Sequence, residues 1–139
     1  MMTSEKMIST YFKTGTLPEL PRGHFIDGAF VAADSGNRMQ SFDAGTGEAF
    51  ADFAAGTAVD VDRAVSSAVE GFELWRNTPP ARRCAILNEV ARLMRAEADR
   101  LAVVESLDSG KTLAEARGDV AGSARLFEYY AGAADKLDG

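Results

Sequence analysis

The spacing of the apolar residues changes once along this 139-residue chain, close to residue 57. Before that point, short runs of alternating polar and apolar residues surround turn residues, a pattern typical of β-hairpins. After it, apolar residues recur every three or four positions, which is typical of amphipathic helices. No strand pattern alternates with the helical ones, so a complete βαβ dinucleotide-binding unit is not expected. The sequence predicts an α+β arrangement of two N-terminal β-hairpins followed by three to four helices.

Both hairpins are predicted from their turn residues. In the first, Asp27-Gly28 interrupts the apolar residues of Phe25–Val31, and Asp-Gly is a strong signal for a tight turn. In the second, Arg38–Asp43 and Glu48–Ala54 flank a turn at Gly45-Thr46-Gly47. An isolated two-stranded hairpin is marginally stable in water, so both hairpins are expected to need helices to pack against.

The chain is accordingly divided into an arm and one partial domain. Residues 1–22 show no sustained period and are predicted to form an extended or poorly ordered arm. Residues 23–139 are predicted to form the domain, with the hairpins in residues 23–56 and the helices in residues 57–139.

Apolar stripes and the breaks between them predict the helices. Thr57 is expected to cap the first helix, and Thr78, with Pro79 at the first helical position, is expected to cap the second. Each stripe predicts a face that packs in the core. The first stripe holds Val61, Val65, Ala68, Phe72 and Trp75, and the second holds Ile86, Leu87, Val90, Leu93 and Met94. The last stripe predicts a helix that reaches almost to Leu137. It holds Leu113, Ala116, Val120, Ala124, Phe127, Ala131 and Ala134.

A helix end is predicted at Gly110, because glycine readily adopts the left-handed conformation of a C-terminal cap. Lys111 is suited to the exposed carbonyl groups at such an end. Gly110-Lys111-Thr112 also resembles the end of a phosphate-binding loop, but the first glycine of that motif is replaced by Glu105 and the preceding pattern is helical. A nucleotide-binding loop is therefore rejected.

Three glycines, Gly118, Gly122 and Gly132, lie inside the last helical pattern. Each costs about 1 kcal/mol relative to alanine in a helix interior, so a structural reason is expected. Close packing of another element is the favoured interpretation, and a cavity wall left open is the alternative.

Composition limits the classes of partner. The formal net charge of -6 and the lack of a basic stripe argue against binding of nucleic acid. No apolar run approaches the length of a membrane span, and residues 1–22 are too polar for a signal peptide. A single cysteine excludes an internal disulfide framework and fits a reducing compartment, so the cytoplasm is the expected location.

Residue types alone predict no assembled active site. Cys84 is the only thiol, but the only histidine, His24, falls in the strand region, so Cys84 is interpreted as a small core or boundary residue. His24 has no second histidine or cysteine with which to share a transition metal. The carboxylates Asp60, Asp62, Glu70 and Glu73 are expected on a solvated helix face, and Tyr129 and Tyr130 are expected to be core or interface anchors.

Six short motifs, in order and spacing, resemble the N-terminal segment of the aldehyde dehydrogenase superfamily. The resemblance covers His24 through Gly139 and implies the N-terminal part of that family's α/β fold. The motifs are Phe25–Val31, Asp43–Glu48, Asp60–Val65 with Phe72 and Trp75, Arg83 with Ile86-Leu87, Leu107–Lys111, and Tyr129–Lys136.

The resemblance implies NAD- or NADP-dependent oxidation of an aldehyde to a carboxylic acid by the complete protein. In the family a cysteine thiolate attacks the aldehyde, an asparagine helps to hold the oxyanion, hydride passes to the nicotinamide, and a glutamate activates water. These groups and the nucleotide-binding unit lie downstream of the matching segment. No catalytic or cofactor-binding residue is therefore assigned here, Cys84 included, and the 139 residues alone are expected to be inactive and to bind neither NAD nor NADP.

The resemblance also implies two sites and an assembly. Gly118 and Gly122 match positions on the helix that lines the family's substrate tunnel, where glycines would leave the tunnel wide. Ser41, the Phe42 carbonyl and Asp108 match a monovalent-cation site of some members, with a simple strand-to-helix hydrogen bond as the alternative. The complete enzyme is expected to be a homo-oligomer.

Three functions remain open at this stage, and one of them, an independent enzyme that uses Cys84, would be refuted if Cys84→Ala retained any activity found. The first is the N-terminal portion of an aldehyde-dehydrogenase-like oxidoreductase, completed by the remainder of the enzyme or by a complementing chain. The second is a stand-alone, non-catalytic helical interaction module derived from that fold. A module would be expected to have polar surfaces, so the apolar Phe127, Tyr130 and Leu137 favour the first. Asp43-Ala44 departs from the Asn-Pro of many family members, and its turn chemistry is expected to differ.

Overall fold

The computed structural model describes residues 3–17 and 20–136. Contacts divide the chain into two compact units. The helical unit holds the described residues up to Ile8 and those from Asn77 onward, and the hairpin unit holds Ser9–Arg76. In chain order the elements are α1 (Ser4–Thr14), β1 (His24–Ile26), β2 (Ala29–Val31), β3 (Arg38–Phe42), β4 (Ala49–Ala54), α2 (Ala58–Arg76), α3 (Pro80–Ala96), α4 (Ala98–Ser109) and α5 (Leu113–Ala133).

The predicted order of two hairpins followed by helices is confirmed, with four helices after the hairpins in the described part of the chain. The last helix ends at Ala133, and Leu137 lies outside the described residues. Within those residues, no helix combines the length and the apolar character needed to cross a membrane.

The prediction of an extended or poorly ordered N-terminal arm is wrong, because Ser4–Thr14 form α1. Its buried residues, Ser4, Met7 and Tyr11, recur three and four positions apart. Apolar periodicity does not indicate this helix, because the first residue of its buried face is a serine. Ser4 is buried by polar contacts: its hydroxyl accepts from the Arg117 guanidinium at 2.8 Å, and its N–H donates to the Asp99 carboxylate at 3.4 Å.

The first hairpin forms as predicted. Strands β1 and β2 pair antiparallel, with Ile26 opposite Ala29 across the turn. Asp27 and Gly28 have φ values of 51° and 74°, the positive values that a two-residue type I′ turn requires at both positions.

The second hairpin also forms as predicted, with β3 and β4 antiparallel and an irregularity in register between Ser41 and Phe42. The outer edge of β4 is partly covered by the segment that precedes β1. The Leu17 N–H donates to the Phe50 carbonyl at 3.4 Å, and the Ala54 N–H donates to the Arg22 carbonyl at 2.8 Å. This pairing satisfies backbone groups that an edge strand would otherwise leave open.

Helix α2 begins at a reciprocal cap between Thr57 and Asp60. The Asp60 carboxylate accepts from the Thr57 N–H at 2.9 Å, and the Thr57 hydroxyl accepts from the Asp60 N–H at 3.4 Å. The predicted cap at Thr57 is confirmed, but the prediction of a solvated Asp60 is wrong. Asp60 is only 3% exposed, since its carboxylate also accepts from the Asp34 N–H. These backbone donors, that of Thr57 first, hold the pKa of Asp60 below its usual value despite burial.

The predicted core face of α2 is not buried by the hairpin unit to which the helix belongs. All five residues of its apolar stripe are exposed. The sequence indicated correctly which residues share a face, but the described part of the hairpin unit supplies nothing that buries this face.

The core of the helical unit is made of small side chains. Helix α5 packs on both α3 and α4. Five alanines are fully buried, namely Ala91 on α3, Ala102 on α4, and Ala116, Ala124 and Ala131 on α5. The larger predicted core residues of α3 lie at its boundary, half-buried, and Leu93 is exposed. Alanine at these positions permits the close interhelical approach that tight packing requires.

Helix α3 starts one residue later than predicted. Pro79 occupies the N-cap position without a side-chain cap hydrogen bond, and Pro80 begins the helix. The prediction that Thr78 caps this helix with Pro79 at its first position is therefore wrong. The proline-rich sequence explains the shift, because proline suits the first helical position and Pro80 takes it.

The predicted helix end at Gly110 is confirmed. Gly110 has a φ of 76°, and its N–H donates to the Ser106 carbonyl at 3.0 Å. Two residues later, Thr112 and Glu115 form a capping box that begins α5. Lys111 lies between Gly110 and Thr112. Its Nζ pairs with the carboxylates of Asp119 at 2.8 Å and Glu105 at 2.6 Å, and these two carboxylates raise the pKa of the lysine.

The glycines of α5 do not mark close packing, so that interpretation is wrong. A Cβ atom built on Gly118, Gly122 or Gly132 would meet no atom within 4 Å among the described residues.

Two glycine-to-alanine substitutions are predicted to have opposite effects on stability. Gly110→Ala should lower the free energy of unfolding by roughly 1–2 kcal/mol, because alanine is strained at positive φ. Gly118→Ala should raise it by about 1 kcal/mol, because the site is helical and open. Urea denaturation of the purified chain followed by circular dichroism measures both. Two changes of the same sign would contradict the assignment.

Candidate functional site

The residues matched to a cation site lie on elements of both units. Ser41 and Phe42 are at the end of β3, where the register of the hairpin is irregular. Asp108 is in the last turn of α4, exposed, two residues before the Gly110 cap. Their hydroxyl, carbonyl and carboxylate oxygens are donors suited to a hard cation. Among the described residues, no group of three or more histidine, cysteine, aspartate and glutamate side chains is arranged for a metal ion.

The loop that follows Phe42 is organised by Asp43, which is 7% exposed. Its carboxylate accepts from the Gly45 N–H at 2.7 Å and from the Tyr11 hydroxyl at 2.5 Å. Its backbone N–H donates to the Glu48 carbonyl at 2.9 Å, and its carbonyl accepts from the Gly47 N–H at 2.7 Å. Asp43 thereby closes the turn and fixes the point at which β3 ends.

Tyr11 and Asp43 bias each other's protonation. The hydrogen bond from Tyr11, followed by that from the Gly45 N–H, lowers the pKa of Asp43 below its ordinary value. The same hydrogen bond raises the pKa of Tyr11 above its ordinary value. At neutral pH the pair is therefore a neutral donor and an anionic acceptor. This pair was not predicted from the sequence, because Tyr11 lies in the segment that was predicted to be an arm.

The side of α5 that carries Gly118 and Gly122 is uncovered. At helical spacing these glycines lie opposite Ala116, Val120 and Ala124, which are the residues that α5 buries. Tyr129, further along the same side, is 71% exposed. The lining of a substrate tunnel by Gly118 and Gly122 stays a prediction, and the open backbone on this side is what such a wall requires.

The two tyrosines at the end of α5 are not core residues. Tyr129 and Tyr130 are both exposed and contact each other edge to face, with ring centroids 5.3 Å apart. Of the two predicted roles, core or interface anchor, the core position is wrong for both, and the interface position stays a prediction.

Cys84 is half-buried on α3, and its surroundings do not activate it. The amide nitrogen of Asn88 lies 3.4 Å from the Cys84 sulfur and donates to the Cys84 carbonyl at 3.1 Å. A side-chain amide cannot act as the base that a thiol nucleophile requires.

His24 lies on β1, and its Nε2 atom is buried without a hydrogen-bond partner among the described residues. Its ring lies against Gly56, where an added Cβ would come within 3.3 Å of the imidazole.

Removal of the Tyr11 hydroxyl is predicted to destabilise the chain in a pH-dependent way. At pH 7, Tyr11→Phe should lower the free energy of unfolding by about 1–3 kcal/mol, because it removes a donor from a buried carboxylate. The contribution of a carboxyl group with a lowered pKa is fully present above its ordinary pKa of 3.8 and is lost as the pH falls through the folded value. The difference between wild type and variant should therefore shrink below pH 3.8. Urea titrations at several pH values measure it.

Tyr129→Phe is the matched control for this substitution. Its hydroxyl is exposed, so its loss should change the free energy of unfolding by less than about 0.5 kcal/mol at each pH. An equal destabilisation by Tyr11→Phe in acid and at neutral pH would show that the hydroxyl acts by packing and not through the Asp43 charge.

Comparison with known proteins adds to this geometry. A sequence model of the aldehyde dehydrogenase family matches residues 30–139. An aldehyde dehydrogenase of Aspergillus niger is 38% identical over 138 residues, which is 95% of this chain and 28% of that protein. The NADP/NAD-dependent aldehyde dehydrogenase PuuC of Escherichia coli is 42% identical over 118 residues, which is 83% of this chain and 24% of PuuC.

A solved structure gives the same result for the fold. The crystal structure of HpcC from Thermus thermophilus superposes with a TM-score of 0.87 at 36% identity and covers 95% of this chain and 25% of HpcC. The chain thus spans about a quarter of the length of the relatives that it matches. It belongs to the aldehyde dehydrogenase family, as an N-terminal segment of that fold.

Proposed function

We propose that this chain is the N-terminal portion of an NAD- or NADP-dependent enzyme that oxidises an aldehyde to a carboxylic acid. The observation that carries the proposal is the match of nearly the whole chain to one quarter of full-length aldehyde dehydrogenases. The E. coli relative PuuC is an NADP/NAD-dependent aldehyde dehydrogenase, which supports the use of either nicotinamide cofactor.

The proposal includes a division of labour between this segment and the rest of the enzyme. The thiol of this segment, Cys84, has a side-chain amide beside it and no motif of the family nucleophile. The nucleophile, the general base and the nucleotide-binding unit therefore belong to the remainder, which is supplied as a continuation of the polypeptide or as a complementing chain. The 139 residues alone are inactive in this proposal, and NAD or NADP binds to the complete enzyme.

Two contributions to the complete enzyme are assigned to this segment. Gly118 and Gly122 line the substrate tunnel. The support for this assignment is that the backbone of α5 is open on the side that carries these glycines. Ser41, the Phe42 carbonyl and Asp108 hold a monovalent cation, supported by their oxygen donors. The complete enzyme is located in the cytoplasm, supported by the single cysteine of these 139 residues. It is also a homo-oligomer, as the resemblance to the family implies.

A hybrid protein tests the proposal. In it, this chain replaces the matching N-terminal quarter of E. coli PuuC, and formation of NADH or NADPH is followed with a series of aldehydes. The hybrid is expected to oxidise aldehydes, and the separate 139-residue chain is expected to show no turnover. Cys84→Ala in the hybrid should leave the rate unchanged, because that thiol takes no part in the chemistry.

Two results would contradict the proposal. Turnover by the separate chain that disappears with Cys84→Ala would make the chain an independent enzyme. A hybrid that folds and binds NAD but stays inert with every aldehyde would favour the non-catalytic interaction module.

A further inference from the structure

The contact between α4 and α5 has few features that hold the two helices in one position. Ala102 of α4 packs against Ala116 and Val120 of α5, with Ala98 and Leu113 at the edge of the cluster. Alanine permits a close approach, but its single methyl group interlocks little with a facing helix. Positions of α5 that differ by a small slide or rotation therefore differ little in packing energy. A weak additional contact can select one of them.

Lys111 is held to the end of α4 through its backbone. Its carbonyl accepts from the Ser106 hydroxyl at 2.7 Å. It also directly follows Gly110, which ends α4 in a left-handed conformation and donates to the Ser106 carbonyl. The base of the lysine side chain is thus fixed relative to α4, independently of the contacts that its ammonium group makes.

The ammonium group of Lys111 links α4 to a point well inside α5. Its Nζ atom lies 2.6 Å from the Glu105 carboxylate and 2.8 Å from the Asp119 carboxylate. Asp119 is eight positions further along the chain and directly follows Gly118. The bridge therefore acts on the stretch of α5 that carries Gly118 and Gly122, and not only on the first turn of the helix.

We propose that Lys111 is a positioning residue, which sets where the stretch of α5 from Gly118 to Gly122 lies relative to α4. The consequence for catalysis rests on the proposed function, because this stretch lines a substrate tunnel only in the proposed enzyme. The bridge is exposed, with 32% exposure for the lysine side chain and 58% for that of Asp119, so it contributes little to stability. A weak contact suffices to select one position among nearly equal ones.

Nuclear magnetic resonance of the separate 139-residue chain tests the position directly. Lys111→Met removes the ammonium group and keeps a long side chain. The backbone amide signals of Gly118 and Gly122 should then shift or broaden, while the melting temperature falls by no more than about 3 °C. Lys136→Met is the matched control, because Lys136 pairs with the neighbouring Asp135 beyond the end of α5. It should leave the signals of Gly118 and Gly122 unchanged.

A second variant, Asp119→Asn, guards against loss of the fold. It keeps the pairing of Lys111 with Glu105 and removes only the charge on α5, so it should change the same two glycine signals. Unchanged signals in either variant, if that variant folds, would overturn the proposal. Unfolding of both variants would also overturn it, since the bridge would then be a source of stability and not of position.

The hybrid with E. coli PuuC measures the consequence for catalysis. Lys111→Met should raise KM for benzaldehyde about fivefold and leave kcat within about twofold, because it moves a wall of the tunnel and none of the reacting groups. KM for acetaldehyde, which leaves most of the tunnel empty, should stay within about twofold. Equal changes in KM for the two aldehydes, or a loss confined to kcat, would overturn the positioning role.

The proposed function and this inference fail in different ways. A folded hybrid that oxidises no aldehyde contradicts the enzymatic proposal, and the glycine signals of the separate chain still decide whether Lys111 positions α5. An active hybrid in which Lys111→Met changes KM for neither aldehyde contradicts the positioning role alone.

Discussion

The helical unit depends on the close approach of α5 to α3 and α4. Alanine side chains at the contact leave little between the helices, so the position and length of α5 must be well defined. Both are set locally. The left-handed Gly110 ends α4, and the capping box of Thr112 and Glu115 begins α5 two residues later. Lys111, between two carboxylates of the neighbouring helices, neutralises charge at this junction.

This dependence on small residues explains what could be predicted from the sequence and what could not. The hairpins and the Gly110 cap were predicted correctly because Asp27-Gly28 and Gly110 act through local backbone conformation. The apolar stripes were also assigned to the correct helices, because the spacing of apolar residues is likewise a local property of the sequence. Which stripe would be buried was not predictable, because burial depends on partners that local pattern does not contain. Of the candidate site residues, the chain places Gly118 and Gly122 on one open side of α5.

The errors concern polar residues that take structural roles. Asp60 looked like a solvated helix residue, yet it is buried because its carboxylate accepts three backbone or hydroxyl donors at the start of α2. Ser4 and Tyr11 looked like parts of a disordered arm, yet each is buried in a polar contact. A hydrogen bond between distant residues leaves no periodic trace, so apolar periodicity cannot reveal it. Asp43, the acidic residue where many family members have asparagine, also takes a structural role. Its hydroxyl donor, Tyr11, lies 32 positions away in the sequence, so no local pattern indicates the contact.

These polar anchors have a consequence for how the segment presents its surfaces. A helix held only by its apolar stripe would turn that stripe toward its own unit, since apolar burial is the main source of stability. Helix α2 does not do so, because the cap of Thr57 and Asp60 and the contact with Asp34 hold the side of the helix that carries Asp60. The apolar side of α2 is then not used for packing within the hairpin unit. In the same way, α5 buries its alanine side and leaves its glycines and Tyr129 outward. Which side of each helix is left open is thus set by the polar contacts of Asp60 on α2 and by the buried alanines on α5.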